Sequence, residues 1–130
     1  MPAVLVVDDN PMIRQLVAAA LQADGFAVVT AEDGLDAISL MQSVDTEIGL
    51  LITDIRMPGM DGWALANRLV TDNPRLPVLF MSSQLEDPDL RGYHQSEFLT
   101  KPFSLVTLLS RARTLMNEDT LSTVSSATSS

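Results

Sequence analysis

The chain contains no cysteine, so disulfides, thiolate metal sites and thiol nucleophiles are excluded together. Basic residues are scarce: eight Lys and Arg stand against seventeen Asp and Glu, a formal net charge of -9. No cluster of them could neutralise a run of phosphates, and direct nucleic-acid contact is not expected. No apolar run approaches the roughly eighteen residues needed to cross a bilayer. Met1-Pro2-Ala3 leads straight into a strand-like segment without a basic leader, so the expectations are no membrane contact and a cytoplasmic location. Histidine, tryptophan and tyrosine occur once each, as His94, Trp63 and Tyr93. His94 precedes a strand instead of following one, which suits a surface or helix-end residue better than a catalytic base. The two rings have no basic groove beside them and read as packing or partner-contact residues, not as a base-stacking platform.

What is present suits one domain around one core: 130 residues, 46% of them apolar. The stretch 48–61, IGLLITDIRMPGMD, organises the rest. Its apolar run reads as a central strand covered on both faces and closed by Asp54, and Met57-Pro58-Gly59 then turns the chain. Residues 3–7 (AVLVV) repeat the pattern, a strand running into Asp8 and Asp9. Asn10-Pro11 reads as N-cap and first helical position, with Ile13, Leu16, Val17, Ala20 and Leu21 as the apolar stripe and Gly25 as the stop. A second strand spans 26–30. Asp33-Gly34 starts a second helix with Leu35, Ala37, Ile38, Leu40 and Met41 on its stripe. Asp61 caps a third helix ending near Asn73-Pro74, and 77–81 (PVLFM) forms a fourth strand that stops at Ser82-Ser83. The segment 86–95 is a short fourth helix of poor quality, with Leu90 and Tyr93 as its apolar anchors and Gly92 lowering its propensity. A fifth strand at 97–99 leads to Thr100-Lys101-Pro102, and Ser104 caps a last helix carrying Leu105, Val106, Leu108, Leu109, Ala112, Leu115 and Met116. Residues 119–130, rich in Ser and Thr, lack periodicity and read as a disordered tail or the start of a linker after a domain at 1–118.

Five strand-helix repeats with right-handed crossovers give an α/β fold: a doubly wound, five-stranded parallel sheet with helices on both faces. In such a sheet the carboxyl ends of the strands share one rim. Asp8 and Asp9 follow the first strand, Asp54 the third, Ser82 the fourth and Lys101 the fifth, so residues distant in sequence converge. Taken singly, each is an ordinary turn former, loop residue or solvated charge. Together they make a chemical set. Crowded carboxylates repel one another, and a hard cation such as Mg2+ (or Mn2+) is the usual remedy. Asp54 could then attack phosphorus to give an acyl phosphate, with the Lys101 ammonium and the Ser82 hydroxyl holding the peripheral oxygens.

At these residues the chain resembles the receiver domain of two-component response regulators. VLVVDDN, LLITDIRMPGMDG and FLTKPF carry the resemblance, which spans about 4–116. It implies the flavodoxin-like strand order 2-1-3-4-5 and the acidic pair at Asp8 and Asp9. It also implies the phosphoacceptor at Asp54, a hydroxyl switch at Ser82 and the family's lysine at Lys101. The Arg56 carbonyl would be a further ligand to Mg2+, Lys101-Pro102 a cis peptide, and Phe98 the aromatic switch residue. Arg56, Ser83 and Gln84 would flank the site and influence acyl phosphate lifetime. The implied donor is a histidine kinase or histidine phosphotransfer protein, and the implied output passes through the surface made by 86–95, the fifth strand and the last helix to an unidentified domain or target. The implied chemistry is self-catalysed phosphoryl transfer and autodephosphorylation instead of conventional turnover. Two alternatives stand beside it: a receiver-like protein-binding module that works unphosphorylated, and a small Mg2+-dependent phosphatase. The second would need a general acid and a substrate-enclosing cap, neither of which is visible.

Overall fold

Five parallel strands in the order 2-1-3-4-5 form the sheet of the computed structural model, which describes residues 2–43, 45, 47–82 and 96–128. The strands are β1 (Ala3–Val7), β2 (Val28–Ala31), β3 (Ile48–Asp54), β4 (Val78–Ser82) and β5 (Ser96–Thr100). Between and after them come α1 (Pro11–Ala23), α2 (Gly34–Ser43), α3 (Gly62–Asp72) and α4 (Leu105–Thr128). The expected helix at 86–95 lies outside the described residues, as do Ser83, Gln84, Tyr93 and His94.

β1, β3 and β4 are apolar on consecutive residues, and almost every one of those side chains is buried. That is the signature of strands covered on both faces. Alternation sends Leu5, Val7, Leu51 and Phe80 to one face, where Ala37 of α2 and Leu65, Ala66 and Leu69 of α3 cover them. Val4, Val6, Leu50, Ile52, Leu79 and Met81 go to the other, under Val17 and Leu21 of α1 and Leu108, Ala112 and Leu115 of α4.

Side-chain caps start the helices where the sequence suggests. Asn10 accepts from the Met12 and Ile13 N–H groups, and Pro11 needs no donor at the first helical position. Asp61 accepts from Ala64 N–H at 2.8 Å and Ser104 from Thr107 N–H at 3.0 Å. Asp33 accepts from Asp36 N–H at 2.8 Å while the Asp36 carboxylate accepts from Glu32 N–H at 3.0 Å, a reciprocal cap at the start of α2. Gly25, at φ +99°, takes the left-handed conformation that ends α1.

Some boundaries and stripe residues differ from expectation. β2 begins at Val28, because Phe26 closes the turn onto the Leu21 carbonyl and pairing starts when Val4 N–H reaches the Ala27 carbonyl. Leu16, Leu35 and Val106, expected on buried stripes, are 49%, 67% and 78% exposed. Neighbours on a helix point about 100° apart, and these three side chains fall beyond the edge of the face that packs on the sheet. α4 runs past 118, so the backbone of the segment expected to be disordered is helical to Thr128. Extending a helix costs far less than nucleating one.

Candidate functional site

The carboxyl edge of the sheet gathers the polar residues. Asp8 leaves the end of β1 fully buried, and Asp9 beside it is exposed. Asp54 is the last residue of β3 and 8% exposed, and Ser82 is the last of β4 and buried. Asp54 pairs with Met81 in the β3–β4 register, so Ser82 stands one step further out on the same rim. Lys101 follows β5, and its Nζ lies 3.0 Å from Asp8 Oδ2 and 3.6 Å from Asp54 Oδ2. The Lys101 N–H donates to the Ser82 carbonyl at 2.6 Å, which ties together the ends of β4 and β5. The Lys101–Pro102 bond is cis.

Asp8 is held at every polar atom. Its Oδ1 accepts from Asn10 N–H at 2.9 Å, its Oδ2 from Lys101, and its carbonyl from the Arg14 guanidinium at 2.7 Å. A carboxylate without exposure is tolerable only with such partners.

Oxygens of Asp8, Asp9 and Asp54 lie within 4.8 Å of one another. Burial raises the Asp54 carboxyl above its ordinary pKa; Lys101 and the Ile55 backbone pull it back, while Asp8 and Asp9 push it further up. Three carboxylates and one ammonium leave two negative charges unbalanced. A hard, all-oxygen donor set with that deficit fits one Mg2+ ion. Arg56 is exposed two residues beyond Asp54 and lines an open cleft of about 540 Å³ with Ile55, Met57, Pro58, Asp61 and Trp63. Trp63 in turn packs on Phe80, ring centroids 4.3 Å apart.

Three supports of this site escape sequence reasoning: Arg14 on the Asp8 carbonyl, Thr53 whose hydroxyl donates to the Asp54 carbonyl at 2.9 Å, and Gly62 packed against the Asp54–Ile55 backbone. Only Gly62 carries a signal, being a glycine directly after an N-cap, where most residues would serve. The other two are side-chain contacts to backbone carbonyls, which leave no pattern of residue types.

Residues 4–113 match the family model described as response regulator receiver domain. NtrC of Escherichia coli K12, a DNA-binding transcriptional regulator, is 37% identical over 115 residues, which cover 84% of this chain and 24% of NtrC. The transcriptional regulatory protein CseB of Streptomyces coelicolor is 34% identical over 116 residues, covering 87% of this chain and 48% of CseB. This chain therefore spans half or less of either relative. Among solved structures, the Vibrio cholerae chemotaxis protein CheY4 superposes with a TM-score of 0.76 at 31% identity, covering 88% of this chain and 98% of that one. The Thermotoga maritima response regulator TrrA, solved in complex with Mg2+-BeF, does so at 0.75 and 28%, covering 88% and 99%. The sheet order, the acidic rim and these matches have one common source: this chain belongs to the response regulator receiver domains.

Proposed function

We propose that Asp54 is the residue on which this receiver domain accepts its phosphoryl group. The observation that carries the reading is the convergence of Lys101 Nζ and the Asp8, Asp9 and Asp54 carboxylates at one point of the rim. An Asp54 carboxylate oxygen attacks phosphorus in line, and the bond to the donor's imidazole nitrogen breaks with its electron pair going to that nitrogen. Lys101 and Ser82 hold the peripheral oxygens, Lys101 as a point charge and Ser82 as a small donor. Asp8, Asp9, Asp54 and the Arg56 carbonyl would hold Mg2+, which when bound supplies the positive charge that the acids and the incoming phosphoryl group lack. Loss of the group is attack by water at phosphorus, which breaks the bond to the Asp54 oxygen and releases phosphate with the carboxylate restored, at a rate that Arg56, Ser83 and Gln84 influence. The chemistry is phosphorylation and dephosphorylation of the domain itself.

Receiver domains as a family work with histidine kinases or histidine phosphotransfer proteins. A face suited to such a donor borders the site: Met12, Leu16 and Val106 are exposed apolar side chains. Beside them an apolar hollow of about 480 Å³ is lined by Ile13, Leu16, Val17, Lys101, Pro102, Phe103 and Leu105. Lys101 belongs to both hollow and acidic site, so a partner seated there places its histidine near Asp54. No described helix is long and apolar enough to cross a membrane, in keeping with a cytoplasmic module. The receiver unit is 1–118, with 119–130 as a Ser/Thr-rich tail or the start of a linker, and direct nucleic-acid contact by this unit is not expected.

Phe98 relays the event. It pairs with Phe80 across β4–β5 and is half-buried against the α2/α3 side of the core. Movement of Ser82 toward the phosphate opens room in which Phe98 packs, altering the surface of β5 and α4. Amide shifts that stay at Asp54 and never reach β5 or α4 would refute this relay.

Intact mass after incubation with Mg2+ and acetyl phosphate tests the acceptor. Wild type gains one phosphoryl group and Asp54→Ala gains none; a gain in both displaces Asp54, and none in either, with a cognate kinase also tried, favours an unphosphorylated binding module.

A further inference from the structure

We infer that Thr53 and Gly62 are positioning residues that grip the Asp54–Ile55 peptide from two sides and thereby set the acceptor carboxylate; the inference rests on Asp54 being the acceptor. Thr53 is fully buried on the face of β3 that carries Leu51 and Ile55, in register with Val7 on one side and Phe80 on the other. Every one of those neighbours is apolar. A valine would fill the same volume without burying a hydroxyl, so packing does not explain the oxygen at this position. Its partner is the Asp54 carbonyl, at 2.9 Å. The N–H of the same peptide unit, on Ile55, donates to the Met81 carbonyl at 3.0 Å. Both polar ends of that unit are thus fixed, one by β4 and one by the Thr53 side chain.

The second contact is steric. Gly62 opens α3, and its N–H donates to the Ile55 carbonyl at 2.8 Å. A Cβ there would fall inside contact distance of the Asp54 carbonyl oxygen, 2.9 Å from Ile55 Cα and 3.0 Å from the Asp54 carbonyl carbon. These are backbone atoms and cannot swing aside. At Gly34, by contrast, the atoms nearest an added Cβ belong to a side chain, that of Met60, at 2.9 to 3.0 Å. Any side chain at 62 must therefore lift α3 or rotate the peptide that carries the acceptor. In-line attack tolerates little of that: a displacement of about 1 Å can lower a rate on the order of a hundredfold.

The test measures phosphoryl uptake from acetyl phosphate at saturating Mg2+, beside the urea midpoint, in full-chain variants. Thr53→Val, which keeps the shape and loses the donor, is expected to slow uptake by the folded protein about tenfold, and Thr53→Ser to stay within about twofold of wild type. Gly62→Ala is expected to slow it about a hundredfold. Gly49→Ala is the control at the amino end of the same strand, where the added Cβ meets Pro2 Cβ at 2.7 Å and the Met116 thioether at 3.3 Å. It lowers the urea midpoint and leaves the rate alone. Thr53→Val at wild-type rate, or Thr53→Ser as slow as Thr53→Val, overturns the hydroxyl's role, and Gly62→Ala at wild-type rate overturns the steric one. If Gly62→Ala does not fold, the two Thr53 variants decide. Asp54→Ala in parallel separates the layers: uptake there removes the acceptor assignment and the grip with it, whereas no uptake there with Thr53→Val unaffected removes the grip alone.

Discussion

The two edges of the sheet are built from the same strands and differ in kind. At the amino edge, Ala3, Ile48 and Val78 begin their strands buried and apolar, and the nearby charges, Glu47 and Arg75, lie out in solvent. At the carboxyl edge stand Asp8, Thr53, Asp54 and Ser82, all the buried polar and charged side chains among the described residues. Backbone geometry offers both edges alike to a ligand, except that every described helix begins at the carboxyl edge. The difference teaches where this chain keeps groups that folding alone would not place inside. The amino edge serves packing; the carboxyl edge holds carboxylates together against their repulsion for a chemical purpose.

Mutations can break that division or sharpen it. The largest stability effect belongs to the amino edge: Ile48→Ala, at a site 4% exposed, is expected to cost about 2–5 kcal/mol in urea unfolding. Phosphoryl uptake by the folded fraction should stay at wild-type rate, and a loss of uptake would erase the distinction between edges. Lys101→Met is the counterpart on the rim. It removes the ammonium that faces Asp8 and Asp54, and uptake measured by intact mass should fall about a hundredfold, equivalent to about 2.7 kcal/mol in the barrier.

A smaller effect concerns pH in Mg2+-free protein. The folded Asp54 pKa is raised, chiefly by burial, so the native state holds this proton more tightly than the unfolded chain. The stabilisation is complete below the ordinary carboxylate pKa and disappears as pH rises through the raised value. Asp54→Asn lacks this dependence. Its urea stability relative to wild type should therefore increase from acidic to neutral pH, and added Mg2+ should reverse the order. A constant difference across that range would show that Asp54 pays no desolvation cost. The smallest effect is expected from Arg113→Ala. Arg113 pairs with Asp24 between α4 and the end of α1 at 2.7 Å and lowers the Asp24 pKa, but the arginine side chain is 51% exposed. Solvent screens such a pair, and urea midpoints should coincide within error.

Much of this was legible in one dimension. Unbroken apolar strands, helix caps at Asn10, Asp61 and Ser104, and acids placed directly after strands fix a parallel sheet with a polar rim, because each is a local rule about neighbouring residues. The exposed Leu16, Leu35 and Val106 were not legible, since an apolar stripe has a width that periodicity alone does not reveal. Nor were Arg14 and Thr53, whose partners are backbone carbonyls.

The sequence by itself determined the element order, the two-faced core and which residue types reach the rim, since hydrophobic patterning and capping act over a few residues. Only the tertiary structure decided that Lys101 meets Asp8 across 93 positions, that Asp8 is buried while Asp9 is exposed, and that Gly62 lies against the Asp54–Ile55 peptide. Those are distances between segments, and they exist only once the crossovers have closed.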